Sequence, residues 1–138
     1  MKHHFTLCSM LEERAKHSRG FQFPLEDDSD RDLLIHFIVH TADLCTQTQP
    51  FKIASQWSTL VTDEFIAQSA RAKLLQIPGL ATEMDIQGQK EMQIRFLKFV
   101  ELPLWTAAAK LFPELLLNLL QLRYNLNKIV NDYFVYIY

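Results

Sequence analysis

RDLLIHFIVHTADLCTQTQPFKIASQWSTLVTDEF, residues 31–65, is the stretch on which the fold class turns. Leu33, Leu34, Phe37, Ile38 and Thr41 recur at the helical period, which predicts a helix with one apolar stripe. Ser29 ahead of it is a good N-cap, and the acids that follow suit the positive end of a helix. The polar run Cys45-Thr46-Gln47-Thr48-Gln49 should end that helix before Pro50, because the residue preceding a proline is driven out of the helical region. Pro50 then suits the first turn of a second helix, where its missing N–H has no partner to lose. The stripe of that helix runs Ile53, Trp57, Leu60, Val61, Phe65 and on to Leu74, with Pro78-Gly79 as its end.

Outward from this pair the pattern stays helical. Phe5, Cys8, Leu11 and Ala15 predict an amphipathic first segment closed by Gly20; a polar, acidic stretch follows from Pro24, and its acidic run Glu26–Asp30 reads as a solvated loop. Ala81 to Lys90 reads as a polar connection. Met92, Ile94, Phe96, Leu97, Phe99, Val100 and Leu104 predict a further helix that Pro103 should kink or divide. Pro113 opens a final helix carrying Leu115, Leu116, Leu119, Leu120, Leu122 and Leu126. About five helices and no strand pattern make the chain all-α. The aromatic tail Tyr133–Tyr138 carries no clear pattern.

Composition narrows the class. The 138 residues are 49% hydrophobic and 22% charged, too apolar for a disordered chain. A net charge of −2 argues against nucleic-acid binding, and 3 glycines leave no phosphate-cradling loop. Two cysteines make no disulfide framework, which fits a reducing, cytoplasmic setting. No apolar run reaches the roughly 18 residues of a membrane span.

His36, His40 and Asp43 stand at i, i+4 and i+7, so one helix face offers two imidazoles and a carboxylate, a donor set suited to a divalent metal. The bland reading is three polar side chains that share a face by chance. His3-His4 reads as solvated. Trp57, Phe65, Phe96, Phe99 and Trp105 read as core aromatics. Gln93, between Met92 and Ile94, reads as a solvated amide, since a buried one would need partners.

Ile38-Val39-His40-Thr41-Ala42-Asp43-Leu44, then Pro50 and Trp57, then Asp63-Glu64-Phe65, resembles the C-terminal half of a class I 3′,5′-cyclic nucleotide phosphodiesterase catalytic domain. Gln93-Ile94-Arg95-Phe96-Leu97, with Leu102-Pro103-Leu104-Trp105, resembles a later segment of the same family, and Lys2-His3 the end of an earlier one. The match is clearest over residues 30–127. The resemblance implies an all-α, HD-type helical catalytic domain that holds two divalent ions, zinc plus magnesium or manganese, and hydrolyses cAMP or cGMP to the 5′-monophosphate. It implies Asp43 as a metal ligand, with His36 and His40 as neighbours only. It implies Gln93 as the purine-reading amide, Phe96 and Val61 as clamps on the base and Phe65 as a pocket wall.

Several positions depart from the family pattern: Cys45, Thr46, Ser69-Ala70 and Arg95 replace Ser, Asn, Gly-Asp and Gly. The family's metal histidines, His-Asp pair and leaving-group-protonating His belong to an upstream half that these 138 residues do not include. The expectation is therefore a single partial domain, inactive alone, completed by an N-terminal half or a second copy. The alternative is a non-catalytic helical interaction module derived from a phosphodiesterase.

Overall fold

The computed structural model describes residues 2–17, 27–77 and 86–135. Gly20, Pro24, Pro78-Gly79 and Tyr136–Tyr138, on which the sequence reading also rested, lie outside them. Six α-helices follow in order: α1 (Lys2–His17), α2 (Asp28–Asp43), α3 (Phe51–Leu74), α4 (Ile86–Phe96), α5 (Leu102–Leu111) and α6 (Leu116–Val135). Short 3-10 turns at Cys45–Thr48 and Pro113–Leu115 link α2 to α3 and α5 to α6. A π-turn, Leu97–Glu101, joins α4 to α5 without leaving the helical region, and the Leu102 N–H reaches back to the Leu97 carbonyl. Pro103 accounts for it. A proline takes no i→i−4 bond and crowds that carbonyl, and the wider turn before it makes room. Six α segments thus form five rods, and no strand occurs among the described residues.

Asp27, rather than the expected Ser29, caps α2. Its Oδ1 accepts the Ser29 backbone N–H at 2.7 Å, while Ser29 already lies inside the helix. The acidic run is also less solvated than expected: Asp30 is buried and paired with the Arg14 guanidinium of α1. Pro50 stands one position before α3, where its carbonyl accepts from Ile53 and Ala54. α4 begins at Ile86, inside the segment read as a polar connection.

Two apolar clusters hold the helices. Leu7, Cys8 and Leu11 of α1 pack with Leu33 and Phe37 of α2 and with Leu104, Ala107, Ala108 and Leu111 of α5. Leu97 and Trp105 pack with Leu119, Leu122 and Leu126 of α6. Leu115 touches both. Burial pushes the Cys8 thiol up to about 11, helped by Glu12, so it behaves as a packing group rather than a nucleophile.

α3 departs furthest from expectation. Of its 24 residues only Ala54 and Ala72 are buried, and Ile53, Trp57, Leu60, Val61 and Phe65 are exposed. The helix packs chiefly on the Cys45–Thr48 turn, which leaves most of its stripe uncovered by the described residues. Phe96 and Phe99 are exposed as well, which leaves Trp105 as the one of the five expected core aromatics that is buried.

Candidate functional site

Spacing along α3 sets one wall of the site. Ala54, Ser58, Val61, Thr62 and Phe65 recur at helical intervals and share one face. α4 supplies the opposite wall through Met92, Gln93 and Phe96. Between them lies a cavity of about 260 Å³, which also includes Gln47, Gln89 and Leu97 in its lining. It is smaller than the roughly 300–1,000 Å³ of sites that enclose drug-sized ligands. Val61, Phe65, Gln93 and Phe96, the four residues named for substrate binding, therefore meet in one cavity although they come from two helices.

Gln93 is not the free amide that the residues alone suggested. It is half-buried, and its Nε2 donates to the Ser58 hydroxyl at 2.5 Å. Gln47 donates to the same oxygen at 2.9 Å, and the Ser58 hydroxyl donates in turn to the Ala54 carbonyl at 3.0 Å. With its proton on Ala54, the Ser58 oxygen can only accept, which fixes both amide nitrogens toward it. The turn bearing Gln47 is anchored from α6: Asn125 Nδ2 donates to the Gln47 and Gln49 carbonyls, both at 2.8 Å, and its Oδ1 accepts from Gln121 at 2.9 Å.

Asp43 stands elsewhere. It is exposed at the end of α2 and lines a separate cavity of about 620 Å³ between α1 and α2, together with His3, His4, His36 and His40. These side chains do not assemble into a metal site. No group of three His, Cys, Asp or Glu side chains placed to hold an ion occurs among the described residues. His40 Nε2 lies 2.7 Å from His4 Nδ1. His4, expected in solvent, is buried. Burial and then the His40 ring hold its imidazole below the usual value, against a hydrogen bond with the Val100 backbone. The residues present do not by themselves fit a divalent ion, and no step through a metal is derived for them.

Sequence reasoning missed Ser58, Thr62 and Gln47. The first two were legible, since they fall on the Val61–Phe65 face of α3. Gln47 was not, because a 3-10 turn gives no periodic signal.

A cavity walled by two helices and lined by aromatic and amide side chains lies in an all-helical chain, and comparison with known proteins specifies the family. The profile of the 3'5'-cyclic nucleotide phosphodiesterase family matches residues 1–122, and the chain belongs to that family. It is 32% identical over 117 residues to the high affinity cGMP-specific 3',5'-cyclic phosphodiesterase 9A of Drosophila melanogaster, covering 78% of this chain and 8% of that protein. It is 26% identical over 114 residues to the Homo sapiens protein of the same description, covering 82% of this chain and 18% of the other. Among solved structures, the phosphodiesterase domain of the RhoPDE fusion protein from the choanoflagellate Salpingoeca rosetta superposes with a TM-score of 0.84 at 26% identity. That superposition covers 99% of this chain and 43% of the solved one. The chain thus spans well under half the length of the relatives it matches.

Proposed function

We propose that these residues form the base-binding part of a cyclic nucleotide phosphodiesterase domain, the C-terminal portion of its single catalytic fold. The observation that carries this reading is the convergence of Val61, Phe65, Gln93 and Phe96 on one cavity. Phe96 on α4 and Val61 on α3 clamp the two faces of a purine, Phe65 closes the side, and Gln93 reads the edge. Flat apolar walls accept any base and leave selection to the amides. cGMP is the substrate we assign, in keeping with the cGMP-specific relatives. Divalent metal use goes with the family. Asp43 is the one ligand we assign to this chain, zinc and magnesium or manganese being the ions. Hydrolysis belongs to the whole domain, and the location we assign is cytoplasmic. Among the described residues no helix is long and apolar enough to cross a membrane.

Titrating cGMP into the chain while following backbone NMR signals tests the base site. Perturbations should gather on residues 58–65 and 89–97. Phe96→Ala should weaken binding about tenfold, the worth of one well-placed aromatic contact of ~1.4 kcal/mol. Perturbations confined to α2, or an unchanged affinity in Phe96→Ala, would sink the assignment.

One observation favours a second reading, the interaction module. Ile35, Ile38 and Val39 form an exposed apolar stripe on α2, opposite the buried Leu33–Phe37 face. Self-association of the purified chain that Ile38→Glu abolishes would carry that reading.

A further inference from the structure

α6 is apolar on two faces along its first turns. Leu119, Leu122 and Leu126 are buried in the second cluster, while Leu116, Leu117, Leu120 and Tyr124 are 49%, 75%, 50% and 55% exposed. One apolar stripe is what a helix on a domain surface needs, and a second one marks a face made for a partner. Leu117, Leu120 and Tyr124 stand at i, i+3 and i+7, the spacing of a seam between two helices. The stripe shares no residue with the cavity between α3 and α4, so its role does not depend on the base site.

Charge at the two ends of the stripe selects the partner. Glu114 lies three residues before Leu117 and Lys128 four residues after Tyr124, and both are exposed and continue the stripe. Lys128 Nζ is held 4.3 Å from the centre of the Phe51 ring, which fixes where that charge stands. The stripe is thus negative at its N-terminal end and positive at its C-terminal end. A second copy laid antiparallel sets each Glu114 against a Lys128, whereas a parallel copy opposes like charges at both ends. The register agrees. Midway between Glu114 and Lys128 lie Leu120 and Gln121, which are also the middle of the Leu117–Tyr124 seam, so one two-fold axis pairs the charges and the apolar side chains together.

We infer that the outer face of α6 is a self-association surface, covered by the same face of a second copy in antiparallel array. A contact of two helices buries less than the roughly 800 Å² per partner of a standard interface, so the dimer is weak, with a dissociation constant of about 10–100 μM.

Sedimentation equilibrium of the 138-residue chain without nucleotide, from about 5 μM to about 0.5 mM, spans that range. Leu120→Glu sets two carboxylates at the axis and should raise the dissociation constant at least about tenfold. Glu114→Lys and Lys128→Glu should each raise it about threefold, and the chain carrying both should return to within about twofold of the wild type. Ile38→Glu, on α2, should leave it unchanged. A chain still monomeric at the highest concentration would overturn the inference and leave the stripe to another part of the longer domain. Association that survives Leu120→Glu, or that Ile38→Glu abolishes, would overturn it by placing the contact elsewhere. Should Leu120→Glu fail to fold, a double charge exchange no better than either single one would overturn the antiparallel second copy on its own.

Discussion

Glu101→Gln is expected to leave stability unchanged near pH 4.5 and to raise it by on the order of 4 kcal/mol above about pH 8. Glu101 closes the π-turn, is 1% exposed and has one carboxyl oxygen without a partner among the described residues. Burial alone pushes its carboxyl up from 4.5 to about 8. Between those values the folded chain keeps the proton while the unfolded chain releases it. The unfolded state then binds fewer protons, so stability falls as pH rises through that window and levels off above it. Glutamine has the same shape and no proton to lose, so its profile should lack the decline. Denaturant unfolding of both chains across the range measures this. Parallel profiles would mean that Glu101 is solvated or paired in solution.

Asn125→Ala should destabilise the chain by about 3 kcal/mol, more than most single changes. The side chain is fully buried and occupies both amide hydrogens on main-chain carbonyls some 77 residues away in sequence, at Gln47 and Gln49. Removing it leaves two carbonyls in the interior without a donor and a hole beside Leu122 and Leu126, which are themselves buried. Asn125→Asp is the informative companion. It keeps the volume but faces two carbonyls with an acceptor, so it should be at least as damaging as alanine at neutral pH. Unfolding free energies of both variants check this, and an aspartate variant as stable as the wild type would show that volume, not hydrogen bonding, fixes the 3-10 turn.

The helices themselves were legible in residues 31–65 because period and punctuation agree there: Leu33, Phe37 and Thr41 are buried, and Pro50 marks the boundary. Burial was not legible for the next helix. Ile53, Trp57 and Leu60 carry as regular a stripe as α2, yet stay exposed, because period reports which residues share a face and not whether anything packs on it. The capping residue was misassigned by two positions: Asp27 and Ser29 are both good caps, and only the start of the helix tells which is used.

At the site, the gathering of Val61, Phe65, Gln93 and Phe96 was expected through family resemblance, while residue chemistry alone read Gln93 as solvated. What holds Gln93 was out of reach, since Ser58 lies 35 positions away and the turn bearing Gln47 is set by α6. The His36-His40-Asp43 face shows the opposite limit. Spacing brought the three onto one face of α2, yet they do not gather into a donor group, and His40 meets a histidine of α1 instead, a contact that period cannot show.

The two apolar clusters imply an order of opening. Contacts within each reinforce one another, whereas α5 and Leu115 are what the two have in common: Leu104, Ala108 and Leu111 face α1 and α2, and Trp105 faces α6. α1 can lift from its side without disturbing α6, and α6 can fray without releasing α1. The amides of α5 are shielded from both directions, so they exchange with solvent only when both sides have let go. The shortest of the α-helices is thereby the slowest clock in the molecule.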